Sequence, residues 1–238
     1  MPRRSSSDGD VLEPKVSHAD EVGLQDGYRS FRLRTERGPV EVRLYEAEGA
    51  RSAALFVGGV GGGFDTPAGG LYPRLGEVLA GEGHSALRVR FRRPTDLDEA
   101  VHDVPAGLWF LGTRGVERVG LVGHSFGGAV VISAAVASRK GTGPAVTAVV
   151  TLATQSYGTE RVAELSPRPL LLVHGTDDEI LPPVCSLSTY RQAHEPKEIR
   201  IFQGARHGLD EVTEPLRQLV HAWLLRQLGA PAAKETRP

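Results

Sequence analysis

The chain has 238 residues, with 28 Lys and Arg against 29 Asp and Glu, so its formal net charge is −1. This length favours one globular domain, and the balanced charge argues against a general nucleic-acid binder, which is usually basic. The single cysteine, Cys185, cannot form an internal disulfide, and without a cysteine cluster we expect no metal site. A lone thiol is typical of a reducing compartment, so we expect a cytoplasmic protein.

Membrane insertion is not expected either. The longest apolar run, at 129–137, is far shorter than the roughly 20 residues that a spanning helix needs. The N-terminus carries arginines but no apolar stretch, so it does not resemble a secretory signal. Residues 1–26 are polar with little periodicity, and we predict a tail there, followed by a single domain at 27–238. We expect no membrane partner, and the oligomeric state stays open.

Short β-rich runs alternate with helical stretches along the rest of the chain. The predicted strands, in chain order, lie at 28–35, 40–46, 53–57, 85–91, 118–122, 145–152, 169–174 and 198–202. The predicted helices lie at 72–81, 97–111, 129–138, 184–193 and 211–228. The first two strands form an antiparallel hairpin, and the later alternation predicts a mostly parallel central sheet with helices on both faces.

The strongest chemical signal is the run Gly-His-Ser-Phe-Gly at 123–127, which follows an apolar strand and precedes a helix of small residues. A serine at a sharp strand-to-helix turn has a strained backbone, and only small neighbours allow that turn. The turn lifts the hydroxyl clear of the sheet, with the positive end of the helix pointing toward it. The pattern predicts that Ser125 is a nucleophile.

A serine needs a base, and the base needs an acid to orient it. These partners are expected downstream in the order serine, acid, histidine. Three adjacent carboxylates, Asp177, Asp178 and Glu179, follow the strand at 169–174 and compete for the acid role. His207 follows the last predicted strand, where a base can reach over the sheet edge, whereas each of the other seven histidines lacks either this chain order or this position after a strand. We therefore predict His207 as the base.

These motifs resemble those of serine hydrolases of the α/β-hydrolase superfamily, nearest in layout to compact dienelactone-hydrolase-like esterases. The resemblance covers about residues 28–228 and implies the α/β-hydrolase fold. In such proteins the acid strand often reads His-Gly-x-x-Asp-x-x-x-Pro, a pattern that falls here on His174, Gly175, Asp178 and Pro182. The resemblance therefore assigns the acid to Asp178. Dienelactone hydrolases proper use a cysteine nucleophile, so their substrate is not carried over to a chain with Ser125.

Acyl transfer also needs two backbone donors for the oxyanion. The N–H of Phe126, directly after the nucleophile, is the first. Superfamily members often read His-Gly-x after the strand equivalent to 53–57, and Gly-Gly-Val stands there in this chain, so Val60 is the expected second donor, with Gly61 as the alternative. The loop lacks the Gly-Lys-Ser/Thr of a phosphate loop, and Phe64 stands where a dinucleotide fingerprint needs Gly or Ala, so no cofactor is expected.

About sixteen residues separate the strands at 145–152 and 169–174, where lid-bearing relatives often insert a helical cap. We therefore expect no large cap domain and an open site. The residues predicted to line that site and bind substrate are Gly61, Phe64, Gln155, Tyr157 and Leu181.

Taken together, the residues predict a cofactor-free serine hydrolase. Its partner would be a small-molecule ester or thioester of a small to medium acyl group, cleaved through a Ser-His-Asp triad and an acyl-enzyme. The alternative is a lyase, cyclase or isomerase that uses the same pocket in a biosynthetic pathway, because a fold does not determine its chemistry. A non-catalytic binding protein is disfavoured by the intact set of Ser125, Asp178 and His207.

Overall fold

The computed structural model describes residues 15–25, 27–138 and 143–230. Its strands are β1 (Val16–Gln25), β2 (Tyr28–Thr35), β3 (Gly38–Tyr45), β4 (Ser52–Val57), β5 (Ser85–Arg90), β6 (Arg118–His124), β7 (Ala145–Leu152), β8 (Leu170–Gly175) and β9 (Lys197–Phe202). Its α-helices are α1 (Leu71–Gly81), α2 (Leu97–Gly112), α3 (Phe126–Ala137), α4 (Val184–Gln192) and α5 (Thr213–Leu228). Short 3₁₀ helices lie at Val162–Leu165 and Asp210–Val212.

The nine strands form one sheet in the order β1-β2-β3-β5-β4-β6-β7-β8-β9. The strands from β5 to β9 in this order are parallel, whereas β1, β2 and β3 form an antiparallel ladder that joins the sheet beside β5. In the parallel part Val57 lies opposite Gly123, Gly123 opposite Thr151, and Leu152 opposite Val173. The carboxyl ends of four strands therefore lie at one edge, where open parallel sheets bind their ligands.

Helices cover both faces of the sheet, as the sequence predicts. Helices α1 and α5 pack on one face, and α2 and α3 pack on the other. All six residues of β4 are buried because this strand lies in the middle of the sheet between the two layers. Helix α3 is also buried almost all round, since it is held between the sheet and α2. Its small residues let it approach β6 closely, next to the turn that carries Ser125.

The N-terminal region differs from the prediction of a polar tail over residues 1–26. Within that range the structure forms β1, which pairs with β2 along its length. The strand has no regular apolar alternation, and Asp20 and Glu21 stand at its centre, so its sequence does not reveal it. Arginines of β2 stabilise the pairing through ion pairs of 2.6 Å to Asp20 and to Glu21. Residues 1–14 and Asp26 lie outside the described part of the chain.

The other predicted elements are confirmed, with ends that shift by only a few residues. The predicted hairpin corresponds to β2 and β3. The helix predicted at 129–138 begins earlier, at Phe126, because the chain enters the helix directly from Ser125. The helix predicted at 211–228 begins later, at Thr213, because a 3₁₀ turn precedes it.

The segment between β7 and β8 contains loops and the 3₁₀ helix Val162–Leu165 only, so the fold has no large cap at this point. Among the helices that the structure describes, none combines the length and the apolar character needed to cross a membrane.

Candidate active site

Ser125 lies between β6 and α3 with φ 56° and ψ −121°, a conformation that costs a non-glycine residue on the order of 1–3 kcal/mol. Two backbone hydrogen bonds hold it there. Its N–H donates to the carbonyl of Leu152 at 2.8 Å, and its own carbonyl accepts from the N–H of Gly128 at 3.0 Å. The strained turn is thus connected to the end of β7 and to the first turn of α3.

At Gly123 and Gly127, on either side of Ser125, neighbouring backbone leaves no room for a side chain. A Cβ atom on Gly123 would lie 2.1 Å from the carbonyl oxygen of Gly127. A Cβ atom on Gly127 would lie 2.2 Å from the carbonyl oxygen of Gly58, in the loop after β4. Side chains at these positions would separate backbone segments that touch. Of the two glycines in the Gly-x-Ser-x-Gly pattern, the first is therefore required by the tight turn itself and the second by the close approach of the loop after β4.

His207, in the loop after β9, is hydrogen-bonded to both of its predicted partners. Its Nε2 lies 3.0 Å from Ser125 Oγ, and its Nδ1 lies 2.8 Å from Asp178 Oδ2. The backbone of this loop is also held, because His124 Nε2 lies 3.0 Å from the carbonyl oxygen of His207 and donates to it. Burial lowers the pKa of His124 to about 4, so its imidazole is neutral at neutral pH. His124 supports the loop of His207.

Asp178 is buried and accepts hydrogen bonds on both carboxylate oxygens. Its Oδ1 accepts from the N–H groups of Ile180 at 2.9 Å and Leu181 at 2.8 Å, while Oδ2 faces His207. Burial acts to raise the pKa of Asp178, but the hydrogen bonds from Leu181, His207 and Ile180 outweigh it and bring this pKa below its ordinary value. An ionised Asp178 directs the Nδ1–H of His207 toward itself and leaves Nε2 free to accept from Ser125.

The two competing carboxylates have other surroundings. Asp177 and Glu179 are both exposed, and Asp177 accepts a hydrogen bond of 2.7 Å from the hydroxyl of Thr176. Of the three adjacent carboxylates, the structure brings Asp178 to the imidazole of His207.

A second histidine lies beneath the acid. His174 is completely buried, and its Nε2 lies 2.8 Å from the carbonyl of Leu181 and 3.1 Å from Asp178 Oδ2. Its Nδ1 lies 2.7 Å from Ser186 Oγ. Burial lowers the pKa of His174, so the ring is neutral, with Nε2 as donor and Ser186 donating to Nδ1. The His-Gly motif indicates a histidine below the acid loop, but no sequence signal identifies Ser186.

The loop after β4 lies directly against the nucleophile, since a Cβ atom on Gly59 would be 3.3 Å from the Cβ of Ser125. The N–H of Gly59 donates to Asp65 Oδ2 at 3.0 Å, so this N–H is not available to bind an oxyanion. Val60 and Gly61, both exposed, follow it. Phe126 is the first residue of α3, so its N–H is among those without an intrahelical acceptor.

The residues predicted to bind substrate lie on loops at the carboxyl ends of β4, β7 and β8. Gln155 is half-buried and donates to the carbonyl of Tyr157 at 2.9 Å, and the side chain of Tyr157 is 71% exposed. Leu181 is half-buried above His174. One side of the Phe64 ring is covered by the guanidinium of Arg43, 4.1 Å from the ring centroid. The Phe64 ring is thus partly used in packing against β3.

A hydroxyl, an imidazole and an ionised carboxylate in a hydrogen-bonded line can transfer an acyl group to the hydroxyl. The geometry needed for this is present, with the carboxylate on the Nδ1 side of the ring and the hydroxyl on the Nε2 side. Within residues 15–25, 27–138 and 143–230, no group of three His, Cys, Asp or Glu side chains is placed to hold a metal ion.

Neither protein-family models nor curated proteins match the sequence. Several solved structures, by contrast, match the fold. The dienelactone hydrolase from Anabaena variabilis is 20% identical, with a TM-score of 0.70 over 91% of this chain and 100% of that one. The esterase domain of a Rhodothermus marinus protein is 20% identical, with a TM-score of 0.67 over 87% of this chain and 100% of that one. An α/β serine hydrolase without a lid, from Xanthomonas campestris, is 18% identical, with a TM-score of 0.66 over 87% and 98%.

These similarities extend over nearly the whole length of the compared proteins, and the Xanthomonas campestris protein is described as lacking a lid. At these identities they establish the fold. The chain has the α/β-hydrolase fold, with a mostly parallel central sheet and no large cap between β7 and β8.

Proposed function

We propose that the protein is a serine hydrolase that cleaves small-molecule esters or thioesters of small to medium acyl groups. The observation that carries this proposal is the line of hydrogen bonds from Ser125 through His207 to Asp178, at 3.0 and 2.8 Å, on a strained strand-to-helix turn. The structural similarity to esterases and hydrolases supports the same class of reaction.

In the first half of the proposed reaction, Ser125 Oγ attacks the substrate carbonyl while His207 Nε2 takes the hydroxyl proton. The ionised Asp178 stabilises the resulting imidazolium, because its Oδ2 accepts the hydrogen bond from Nδ1. The negative charge that develops on the carbonyl oxygen is held by the N–H groups of Phe126 and Val60. His207 then gives its proton to the leaving alkoxide or thiolate, and the acyl group remains on Ser125.

In the second half, water attacks the acyl group while His207 takes one of its protons. The same two N–H groups hold the second oxyanion, and the proton returns to Ser125 Oγ as the acid leaves. At the end of the cycle Ser125 and His207 have regained their starting protonation states, and we propose that the reaction uses no cofactor.

Cys185 is a free thiol, which fits the reducing interior of a cell, and we propose a cytoplasmic location.

We propose that Gly61, Phe64, Gln155, Tyr157 and Leu181 line the acyl and alcohol positions. These residues lie on the loops that follow β4, β7 and β8, at the sheet edge where Ser125 is held. The side chains of Val60, Tyr157 and Ile180, on the same three loops, are 55%, 71% and 65% exposed, so the rim carries apolar surface open to solvent. An apolar rim without a lid suits a short acyl chain.

The direct test of the proposal is Ser125→Ala. Turnover of p-nitrophenyl acetate should fall by roughly 10⁴- to 10⁶-fold, as it does when a triad residue is removed. A fluorophosphonate probe should label the wild-type protein and leave the variant unlabelled. An unchanged melting temperature serves as the control for folding. Near-normal hydrolysis by a pure Ser125→Ala preparation would rule out the proposed nucleophile.

The choice of acid is tested by a matched pair of adjacent substitutions. Asp178→Asn should lower kcat by about 10⁴-fold, because the imidazole loses the charge that fixes its tautomer. Asp177→Asn should change kcat only slightly, because Asp177 is exposed and bonded to Thr176. Both are measured with the same ester at saturating concentration. If the two effects were exchanged, the acid would be Asp177.

The missing cap predicts selectivity for short acyl groups. A chain beyond a few carbons would leave apolar surface in water, and each unburied CH₂ forgoes about 0.8 kcal/mol. In a series of p-nitrophenyl esters, kcat/KM should therefore peak at about two to six acyl carbons, with no activation at an oil–water interface. Acyl thioesters of the same chain lengths are measured in parallel, so that kcat/KM can be compared for a thiolate and a phenolate leaving group. A steady rise in kcat/KM up to about ten carbons would contradict the open site.

A further inference from the structure

We propose that Asp65 is a positioning residue for the loop that binds the oxyanion, and that its carboxylate occupies the space of a side chain at position 58. The proposal rests on the proposed function, because it explains how one part of the same site is kept in place. It also gives a reason for Gly58, the position at which the sequence departs from the His-Gly-x pattern of the resemblance.

The carboxylate of Asp65 lies inside the loop that begins at the end of β4. A Cβ atom on Gly58 would be 1.5 Å from Asp65 Oδ1 and 2.5 Å from its Cγ, so the two groups cannot be present together. Asp65 Oδ2 accepts the N–H of Gly59 at 3.0 Å. A Cβ atom on Gly61 would lie 3.3 Å from the same oxygen. One carboxylate is therefore bonded to Gly59 and occupies or borders the side-chain space of Gly58 and Gly61.

This contact matters because the loop is otherwise free to adopt many conformations. Five of its six residues from 58 to 63 are glycines, and only Val60 carries a side chain, so the loop has little side-chain packing of its own. Oxyanion stabilisation requires N–H groups that are already oriented before the charge develops. Fixing the amide of Gly59 limits the directions in which the next N–H groups, those of Val60 and Gly61, can point. Asp65 thus restricts the conformation of a loop whose glycines would otherwise leave it flexible.

The segment that carries Asp65 is held through its neighbour, Phe64. Arg88, on β5, is only 5% exposed and donates through Nη2 to the carbonyl of Phe64, the residue before Asp65. Burial raises the pKa of Asp65, while the Gly59 N–H and the positive charge of Arg88 act against this rise. Arg43, on β3, covers the Phe64 ring. Two arginines of the sheet therefore anchor the segment that presents Asp65 to the loop.

The proposal makes opposite predictions for two substitutions of the same residue. Asp65→Ala removes the acceptor and should lower kcat for p-nitrophenyl acetate by about 10- to 100-fold, less than the loss of an oxyanion donor itself. KM should change little, because the interaction acts mainly in the transition state. The affinity for phenylboronic acid, which forms a tetrahedral adduct with an active-site serine, should weaken by a similar factor. Asp65→Asn keeps an oxygen acceptor in place and should remain within a few-fold of wild type.

The steric part is tested by a double-mutant cycle with Gly58→Ala. Alone, Gly58→Ala should lower kcat about as much as Asp65→Ala, because the new methyl group displaces the carboxylate. In the Asp65→Ala background it should cost little more, because the carboxylate is then gone and the backbone oxygen of residue 65, which remains, lies 3.1 Å from the new Cβ atom. Gly81→Ala is the matched control, since a Cβ atom on that residue meets nothing within 4 Å. Its activity should equal that of the wild type.

Three results would overturn the proposal: wild-type kcat for Asp65→Ala, an equal loss for Asp65→Asn, or additive costs in the double mutant. If Asp65→Ala does not fold, Asp65→Leu fills a similar volume without an acceptor and should show the same fall in kcat.

Fluorophosphonate labelling of the wild-type protein distinguishes a failure of the proposed function from a failure of the role of Asp65. Absence of labelling and of ester turnover in the wild type contradicts the proposed function, whereas a labelled, active wild type with an unaffected Asp65→Ala contradicts the role of Asp65 alone.

Discussion

The strained backbone of Ser125 depends on the contact between the serine turn and the loop after β4. Gly127 lies against the carbonyl of Gly58, and the N–H of Ser125 is bonded to Leu152 at the end of β7. Three neighbouring parallel strands thus end in one small cluster of backbone contacts. The strain, on the order of 1–3 kcal/mol, persists because β6, inside the sheet, and α3, packed against it, are both largely buried. The hydroxyl is therefore presented from a well-packed part of the fold.

The remaining parts of the site are brought to this fixed point by loops that are themselves held by hydrogen bonds. The loop of His207 is supported by His124, and the acid loop is closed by the N–H groups of Ile180 and Leu181 on Asp178. Buried His174 adds a further contact below the acid. Such secondary contacts are what keep catalytic groups in line, because a displacement of about 1 Å can cost about 10²-fold in rate. The rim above them stays open.

The parts of this site that depend on residues close together in the sequence can be predicted from the sequence. The glycines around Ser125 and the spacing to Asp178 leave a local pattern, so the turn, the acid and the fold are predictable. The strand β1 is not, because it pairs with β2 through its backbone while only scattered side chains are partly buried, so no apolar alternation marks it. The pairing of Asp65 with Gly58 depends on a three-dimensional contact, and its only trace in the sequence is a glycine where superfamily members often have histidine.

The proposed reaction requires that Ser125 carry an acyl group during turnover. The measurement is a rapid-mixing experiment with the slowly deacylating ester p-nitrophenyl trimethylacetate, followed by an acid quench and peptide mapping by mass spectrometry. We expect a burst of nitrophenolate close to one equivalent of protein and a trimethylacetyl group on Ser125. Release of nitrophenolate with the acyl group on another residue, or with Ser125 unmodified throughout, would contradict the account.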